Sequence, residues 1–205
     1  MNKTTNGPFK TTETIILASG SPRRRELLAD LGLDFEVHPS TADEPAPLPN
    51  EEADQYAKRM AEMKTLDVAT NFSGRTVLGA DTIVVLNGQI MGKPADEKDA
   101  LVKLTALSGK THQVLTAFCL VLPDGTTISQ AVSTDVDMRA SGKEELESYI
   151  GTGEPMDKAG AYAIQGIGTF LVTAIRGSYT NVVGLPVARV LEELLGIGII
   201  QPRKN

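Results

Sequence analysis

An apolar run that passes directly into a serine- and arginine-rich helix start constrains this chain more than any other feature. Ile15, Ile16 and Leu17 are continuous and apolar, the pattern of a strand buried on both faces. Ser21 stands at a natural N-cap position and Pro22 at a natural first helical position. The helix then opens on Arg23, Arg24 and Arg25. A helix N-terminus presents free backbone N–H groups and the positive end of its dipole, so it suits an anion. The hydroxyls of Ser19 and Ser21, with up to three guanidinium groups, fit a polyphosphate. Arg24 precedes Leu27, Leu28 and Leu31 at helical spacing and continues their inward stripe. Arg23 leans the same way, and Arg25 falls to the side. Charge on a buried stripe costs free energy unless an anion meets it, which favours a ligand over three solvated arginines.

The chain has 205 residues, 41% of them hydrophobic, enough for one substantial core or two small lobes sharing a cleft. Its net charge of −6 argues against a nucleic-acid polymer as partner. Any anion is therefore met by a local cluster and not by a global field. The single cysteine, Cys119, excludes an intramolecular disulfide and fits a reducing cytoplasm. It lies in the apolar run AFCLVL and reads as a buried structural thiol. No run of about 18 apolar residues occurs and the N-terminus lacks a signal-peptide core, so no membrane association is expected. Residues 1–13 are polar and without period, the pattern of a disordered extension. With no repeat or low-complexity linker beyond them, residues 14–200 are expected to form a single domain.

Strands and helices alternate along the rest. A strand over 15–19 and a helix over 22–31 lead to a short strand at 35–37 and a loop, 39–50, rich in proline and acid. Asn50 is expected to cap a long helix over about 51–70, with Ala53, Ala57 and Met60 on one stripe. Lys64 extends that stripe, so its ammonium either reaches a cleft or snorkels to solvent. A buried strand over 77–80 ends at Asp81 and Thr82, and 83–91 reads as a hairpin turning at Asn87–Gly88 in type I′. A helix over 96–107 closes at Gly109, and segments 111–122 and 126–138 form a long hairpin. Ser141 and Glu144 suggest a capping box for a helix to Ile150. A glycine-rich stretch, a strand over 170–175 and a helix from Pro186 complete an α/β fold with a mixed sheet.

Three charged loops follow strands or tight turns: Ser19–Arg25, Asp81–Thr82 and Gly92–Lys93–Pro94. In open α/β sheets, ligands bind beyond the carboxyl ends of strands. Asp81 there either closes an Asx-turn or binds a cation or water, and Glu44 offers a second carboxylate. Carboxylates beside a phosphate suggest Mg²⁺ or Mn²⁺. His38 and His112 lack partners at zinc-ligand spacing. P-loop, dinucleotide and serine-hydrolase signatures are absent. In EPMDKAGAYAIQGIG, residues 154–168, the glycines let backbone approach a ligand. Asp157, Lys158 and Gln165 stand among small residues there. The amide of Gln165 either meets a pyrimidine edge or satisfies its own loop.

Taken in order, the motifs SGSPRR at 19–24, DE at 43–44, RMAEMK at 59–64, GADT at 79–82, GKP at 92–94, LSG at 107–109 and EPMDKAGAYAIQG at 154–166 resemble the Maf family of nucleotide pyrophosphatases. The departures are small: Met60 stands where the family usually has leucine, and Thr65 where it has alanine. The resemblance implies a mixed twisted sheet flanked by helices, in two lobes with a deep cleft, and usually a homodimer. It implies divalent-metal-dependent hydrolysis of a nucleoside triphosphate to the monophosphate and pyrophosphate. Asp81 matches the proton acceptor that activates water, and Glu44 an acidic position assigned with Asp81 to the metal. Lys93 is expected to act with Asp81 in catalysis. Ser19, Ser21, Arg23, Arg24, Lys64, Thr82, Lys158 and Gln165 are expected to bind the nucleotide.

Arg23, Thr82 and Gln165 together resemble the dTTP/UTP branch of that family. The 7-methyl-GTP branch carries a tryptophan after the proline, and this chain has no tryptophan. Two rival readings are a non-enzymatic nucleotide-binding regulator of cell division and a purine-directed pyrophosphatase. The paired carboxylates speak against the first, since a pure anion binder has little use for them.

Overall fold

The computed structural model describes residues 7–204. The elements in order are β1 (Phe9–Thr11), β2 (Ile15–Leu17), α1 (Pro22–Asp30), β3 (Phe35–Val37), α2 (Ala53–Ala69), β4 (Val77–Leu86), β5 (Gln89–Met91), α3 (Glu97–Leu107), β6 (Thr111–Val121), β7 (Thr127–Met138), α4 (Lys143–Ile150), β8 (Val172–Arg176), α5 (Tyr179–Val183), α6 (Val187–Gly196) and β9 (Ile200–Pro202). The main sheet has the order β3-β2-β4-β6-β7-β8, with β5 also on β4. Strand β2 is parallel to both β3 and β4, whereas β4–β5 and β7–β8 are antiparallel. This is the mixed α/β sheet read from the sequence.

By packing, the chain divides into two compact units. Among the described residues, one comprises 7–81, 117–131 and 184–204, the other 82–116 and 132–183. Strands β4, β6 and β7 each contribute one part to each unit. The core of the first unit gathers Ile15 and Leu17 of β2, Leu28 of α1, Leu78 of β4, Phe118 and Leu120 of β6 and Leu194 of α6. That of the second gathers Val84, Leu104 and Leu107 of α3, Val136 of β7 and Leu146 and Tyr149 of α4. Helix α2 buries Tyr56, Ala57, Met60, Ala61, Thr65 and Val68; of the expected stripe, Ala57 and Met60 are buried and Ala53 is half-buried.

Several local expectations are corrected. Of the extension expected to be disordered, residues 1–6 lie outside the described residues, but Phe9–Thr11 pair antiparallel with Ile200–Pro202. The two segments, far apart in sequence, satisfy each other's backbone, while Phe9 and Ile200 join the core of the first unit. Asn50 does not cap α2: its φ is 61°, and Glu52 occupies the N-cap position. Strand β4 continues through Asp81 and Thr82 where a break was expected. Ser141 forms no capping box, because the N-cap position of α4 falls on Gly142 and the Ser141 N–H goes to Ser108 Oγ at 2.8 Å. Part of the strand expected at 170–175 is a 3₁₀ segment, Gly166–Leu171, ahead of β8. The Asn87–Gly88 turn is as expected, with φ of 51° and 79°, the signs that type I′ requires.

The Cys119 thiol is buried, and burial pushes its pKa up to about 11, so it is a poor nucleophile at neutral pH. His112 is 2% exposed and its Nε2 lies 2.7 Å from the Tyr162 hydroxyl. Burial pulls the His112 pKa down to about 4, whereas in the unfolded chain it titrates near about 6.5. Below that value the unfolded state takes up the proton first, so stability falls as pH drops from about 6.5 toward 4. Melting followed from pH 7 to pH 5 is expected to show a loss of about 2 kcal/mol from this group. His112→Gln, which does not titrate, should flatten that slope; equal slopes in the two proteins would assign the loss elsewhere.

Candidate active site

Helix α2 and strand β4 approach closely at Gly79. A Cβ there would lie 2.2 Å from Thr65 Oγ1, so only glycine admits this contact. Two residues further along β4, Asp81 is 8% exposed. One residue before Thr65, Lys64 points its ammonium at that carboxylate. Lys64 Nζ lies 2.6 Å from Asp81 Oδ1 and 2.8 Å from Glu44 Oε1. Of the two alternatives left for Lys64, it reaches inward and pairs with Asp81 and Glu44. Burial alone would lower the Lys64 pKa, but Asp81 and Glu44 outweigh it and the net shift is upward. Lys64 is therefore cationic throughout the neutral range.

The start of α1 lies in the same unit. Arg24 donates from Nε to the Gly184 carbonyl at 2.7 Å and from Nη1 to Ser19 Oγ at 2.9 Å. Burial pulls the Arg24 pKa down, and the Asp81 and Glu44 carboxylates oppose that pull. Ser21 holds the N-cap position, but its side chain makes no cap hydrogen bond; its N–H instead donates to Ser19 Oγ at 3.3 Å. Arg23 is half-buried and Arg25 exposed, as helical spacing predicts. Ser19, Arg24, Glu44, Lys64 and Asp81 are thus brought into one electrostatic group, with Ser21 and Arg23 on the adjoining turn.

Glu44 owes its place to residues that sequence reasoning passed over. Helix α2 holds the long loop before it at several points. Tyr56 Oη donates to the Pro45 carbonyl at 3.1 Å. Arg59 donates to both Glu51 oxygens at 2.6 and 2.7 Å, and Glu51 accepts the Leu48 N–H at 2.8 Å. The Arg59 hydrogen bonds hold the Glu51 carboxyl down to about 2. Asp67 accepts from Ser40 Oγ at 2.7 Å and from the Thr41 N–H at 3.0 Å. Tyr56, Arg59 and Asp67 occur in the same helix as Lys64, and the acid-rich loop they clasp was the available sign that cations and caps were needed.

In the second unit, Thr82 Oγ1 lies 2.9 Å from Thr116 Oγ1. Lys93 is exposed after β5, and Gln165 is half-buried. The Lys158 ammonium pairs with the Asp157 carboxylate. The loop carrying Gln165 is tied down by Glu154, whose carboxylate accepts the Ile167 and Gly168 N–H groups and the Tyr149 hydroxyl, each at 2.8 Å. Tyr149 Oη also accepts the Ala163 N–H at 3.3 Å, so both sides of Gln165 are anchored. Glu154 and Tyr149 were missed because each acts on backbone several residues away.

No group of three or more His, Cys, Asp or Glu among the described residues could hold a metal ion by itself. The donor set nevertheless fits Mg²⁺ or Mn²⁺. Two carboxylates, from Glu44 and Asp81, already converge on one cationic centre, and a hard divalent ion needs only one or two carboxylates when substrate phosphates and waters supply the rest.

The fold has a counterpart among solved structures. The Staphylococcus aureus Ham1 protein superposes with a TM-score of 0.50 at 13% identity, covering 91% of this chain and 100% of that one. The α/β architecture is shared. Sequence assigns the chain within it: residues 14–197 match Maf-like proteins, and the chain belongs to the Maf family. The dTTP/UTP pyrophosphatase of Nitratidesulfovibrio vulgaris is 49% identical, with 96% of this chain and 94% of that protein covered. The dTTP/UTP pyrophosphatase of Geobacter sulfurreducens is 48% identical, with 91% and 97% covered. Among the described residues, no helix is long and apolar enough to cross a membrane.

If Arg59 holds the loop that carries Glu44, Arg59→Met should loosen it. Digestion with a protease of broad specificity is expected to cut within residues 39–50 several-fold faster in the variant, because local opening of the loop becomes less costly. Cleavage at the parent rate would show that the Arg59–Glu51 pair does not restrain the loop.

Proposed function

We propose that this protein hydrolyses nucleoside triphosphates, dTTP and UTP foremost, to the monophosphate and pyrophosphate. The observation that carries the reading is the Lys64 ammonium set between Asp81 and Glu44, in a chain whose near full-length relatives are dTTP/UTP pyrophosphatases. Residues 14–200 are taken to act as one catalytic unit. The family likeness also supports a homodimer, which sedimentation would read directly, and the reduced, buried Cys119 fits a cytoplasmic setting.

Asp81 serves as the proton acceptor for a water that attacks the α-phosphorus. The new O–Pα bond forms as the bridging bond to the β-phosphate breaks, and pyrophosphate departs. Lys64 holds the Asp81 carboxylate in place and adds positive charge beside it. Arg24, oriented by Ser19 and the Gly184 carbonyl, binds phosphate oxygens with Ser19 and Ser21 at the start of α1. Lys93 and Lys158 meet the charge that grows on the leaving pyrophosphate. Glu44 and Asp81 would hold a divalent cation, which when bound neutralises charge on the phosphates. Arg23, Thr82 and Gln165 select the base. Gln165, tied down on either side, offers both a donor and an acceptor to a pyrimidine edge.

Pyrophosphate release from a panel of triphosphates tests the reading. Release from dTTP and UTP in Mg²⁺ or Mn²⁺, lost on chelation and weak with 7-methyl-GTP, is the expected result. Asp81→Asn should lower kcat by about 10²–10⁴-fold while the protein still binds UTP. Absence of release from every triphosphate, with binding retained, would favour a nucleotide-binding regulator.

A further inference from the structure

Four charged side chains act on one another around Asp81, and their charges cancel. Lys64 Nζ lies 2.6 Å from Asp81 Oδ1 and 2.8 Å from Glu44 Oε1, and the same two carboxylates act on the Arg24 guanidinium. Two cations thus stand against two anions. The Lys64 ammonium takes the place between the carboxylates where a metal ion would be expected. Among the described residues, no third carboxylate, histidine or cysteine joins Glu44 and Asp81 to complete a metal site. A divalent ion arriving alone must part Lys64 from a carboxylate, and it leaves the group with an excess of positive charge. The Lys64 and Asp81 side chains are only 15% and 11% exposed, so water and salt screen that repulsion far less than at the surface. A triphosphate carrying the ion changes the sum. It brings more negative charge than the ion brings positive, and so gives Lys64 and Arg24 new partners.

We propose that Lys64 is a place-holder for the divalent ion: it bars free metal from Glu44 and Asp81, so that the protein takes up the ion only together with the triphosphate. This rests on the reading above that the two carboxylates hold the ion and that a nucleoside triphosphate is the substrate. Glu44 is the partner that Lys64 releases. Its side chain is 49% exposed and lies in the irregular loop before α2, whereas Asp81 is fixed in β4. An ammonium has three N–H donors, so Lys64 keeps Asp81 and exchanges Glu44 for a phosphate oxygen. Both carboxylates then face the ion, and phosphates and waters supply its remaining ligands. One charge thus serves twice: it repels the ion alone and attracts the ion's complex with nucleotide.

Equilibrium dialysis of Mn²⁺ against the protein reads the place-holder without turnover. The parent is expected to retain little Mn²⁺ alone, and to retain it readily with a UTP analogue whose α,β-bridging oxygen is replaced by NH. Lys64→Met removes the cation and should tighten Mn²⁺ binding by the nucleotide-free protein at least about tenfold. That gain should vanish when Asp81→Asn is added. Binding by the parent that is as tight without the analogue as with it would overturn the proposal. So would a Lys64→Met protein that binds Mn²⁺ no more tightly than the parent. A gain that survives Asp81→Asn would place the ion elsewhere and overturn it too. The comparison with and without analogue uses the intact parent, so it decides the matter even if Lys64→Met does not fold. Pyrophosphate release from UTP by the parent is measured in the same buffer. Any of these failures alongside release overturns the place-holder alone, whereas no release from any triphosphate overturns the proposed function.

Discussion

A lysine ammonium held between two carboxylates is the interaction on which the rest of this site depends. Lys64 leaves a helix face that is otherwise apolar, and its charge is tolerated there because Asp81 and Glu44 both meet it. A buried cation with no partner would be strongly destabilising, and a buried carboxylate with none equally so. Each therefore justifies the other. The geometry follows from packing: Gly79 lets α2 lie against β4 closely enough for a side chain of lysine length to reach the Asp81 carboxylate.

The same helix that supplies the cation also fastens the loop that supplies the second carboxylate. Tyr56, Arg59 and Asp67 hold backbone or side-chain groups between Ser40 and Glu51. A proline-rich acidic loop has little tendency to settle in one conformation on its own. Clasping it from one rigid element gives Glu44 a defined place at modest cost, since the entropy of ordering is offset by several charge-assisted hydrogen bonds. In the second unit the logic repeats with a different residue. Glu154 gathers two backbone N–H groups and the Tyr149 hydroxyl, and so orders a glycine-rich segment on either side of Gln165. Both loops are irregular in sequence and well determined in space, because a carboxylate is an acceptor able to hold several donors at once.

Electrostatically the first unit is a compact problem with an internal solution. A chain of net charge −6 does not attract polyanions through its overall field, so a triphosphate must be met by a few converging cations. Arg24 and Lys64 are both positioned before any substrate arrives, Arg24 by Ser19 and the Gly184 carbonyl, Lys64 by its two carboxylates. Groups already fixed lose little on binding, and in the proposed mechanism such preorganised charge would favour a transition state over a ground state.

Much of this was legible in the residues alone. The strand-to-helix turn at Ile15–Asp30, the inward lean of Arg24, the apolar stripe of α2 and the type I′ turn at Asn87–Gly88 follow from periodicity and local chemistry that act within a few residues. The ordered series of motifs identified the Maf family for the same reason: spacing is a local property. Tertiary structure alone decided the rest. Whether Lys64 faced protein or solvent, and which residues held the loop that carries Glu44, depended on partners eight to 27 positions away. The pairing of Phe9–Thr11 with Ile200–Pro202 and the hydrogen bond from Thr116 to the Asn181 carbonyl are of that kind. A threonine in a strand and an asparagine in a short helix carry no mark of each other. Only a core that buries both, and must satisfy every donor and acceptor it encloses, brings them together.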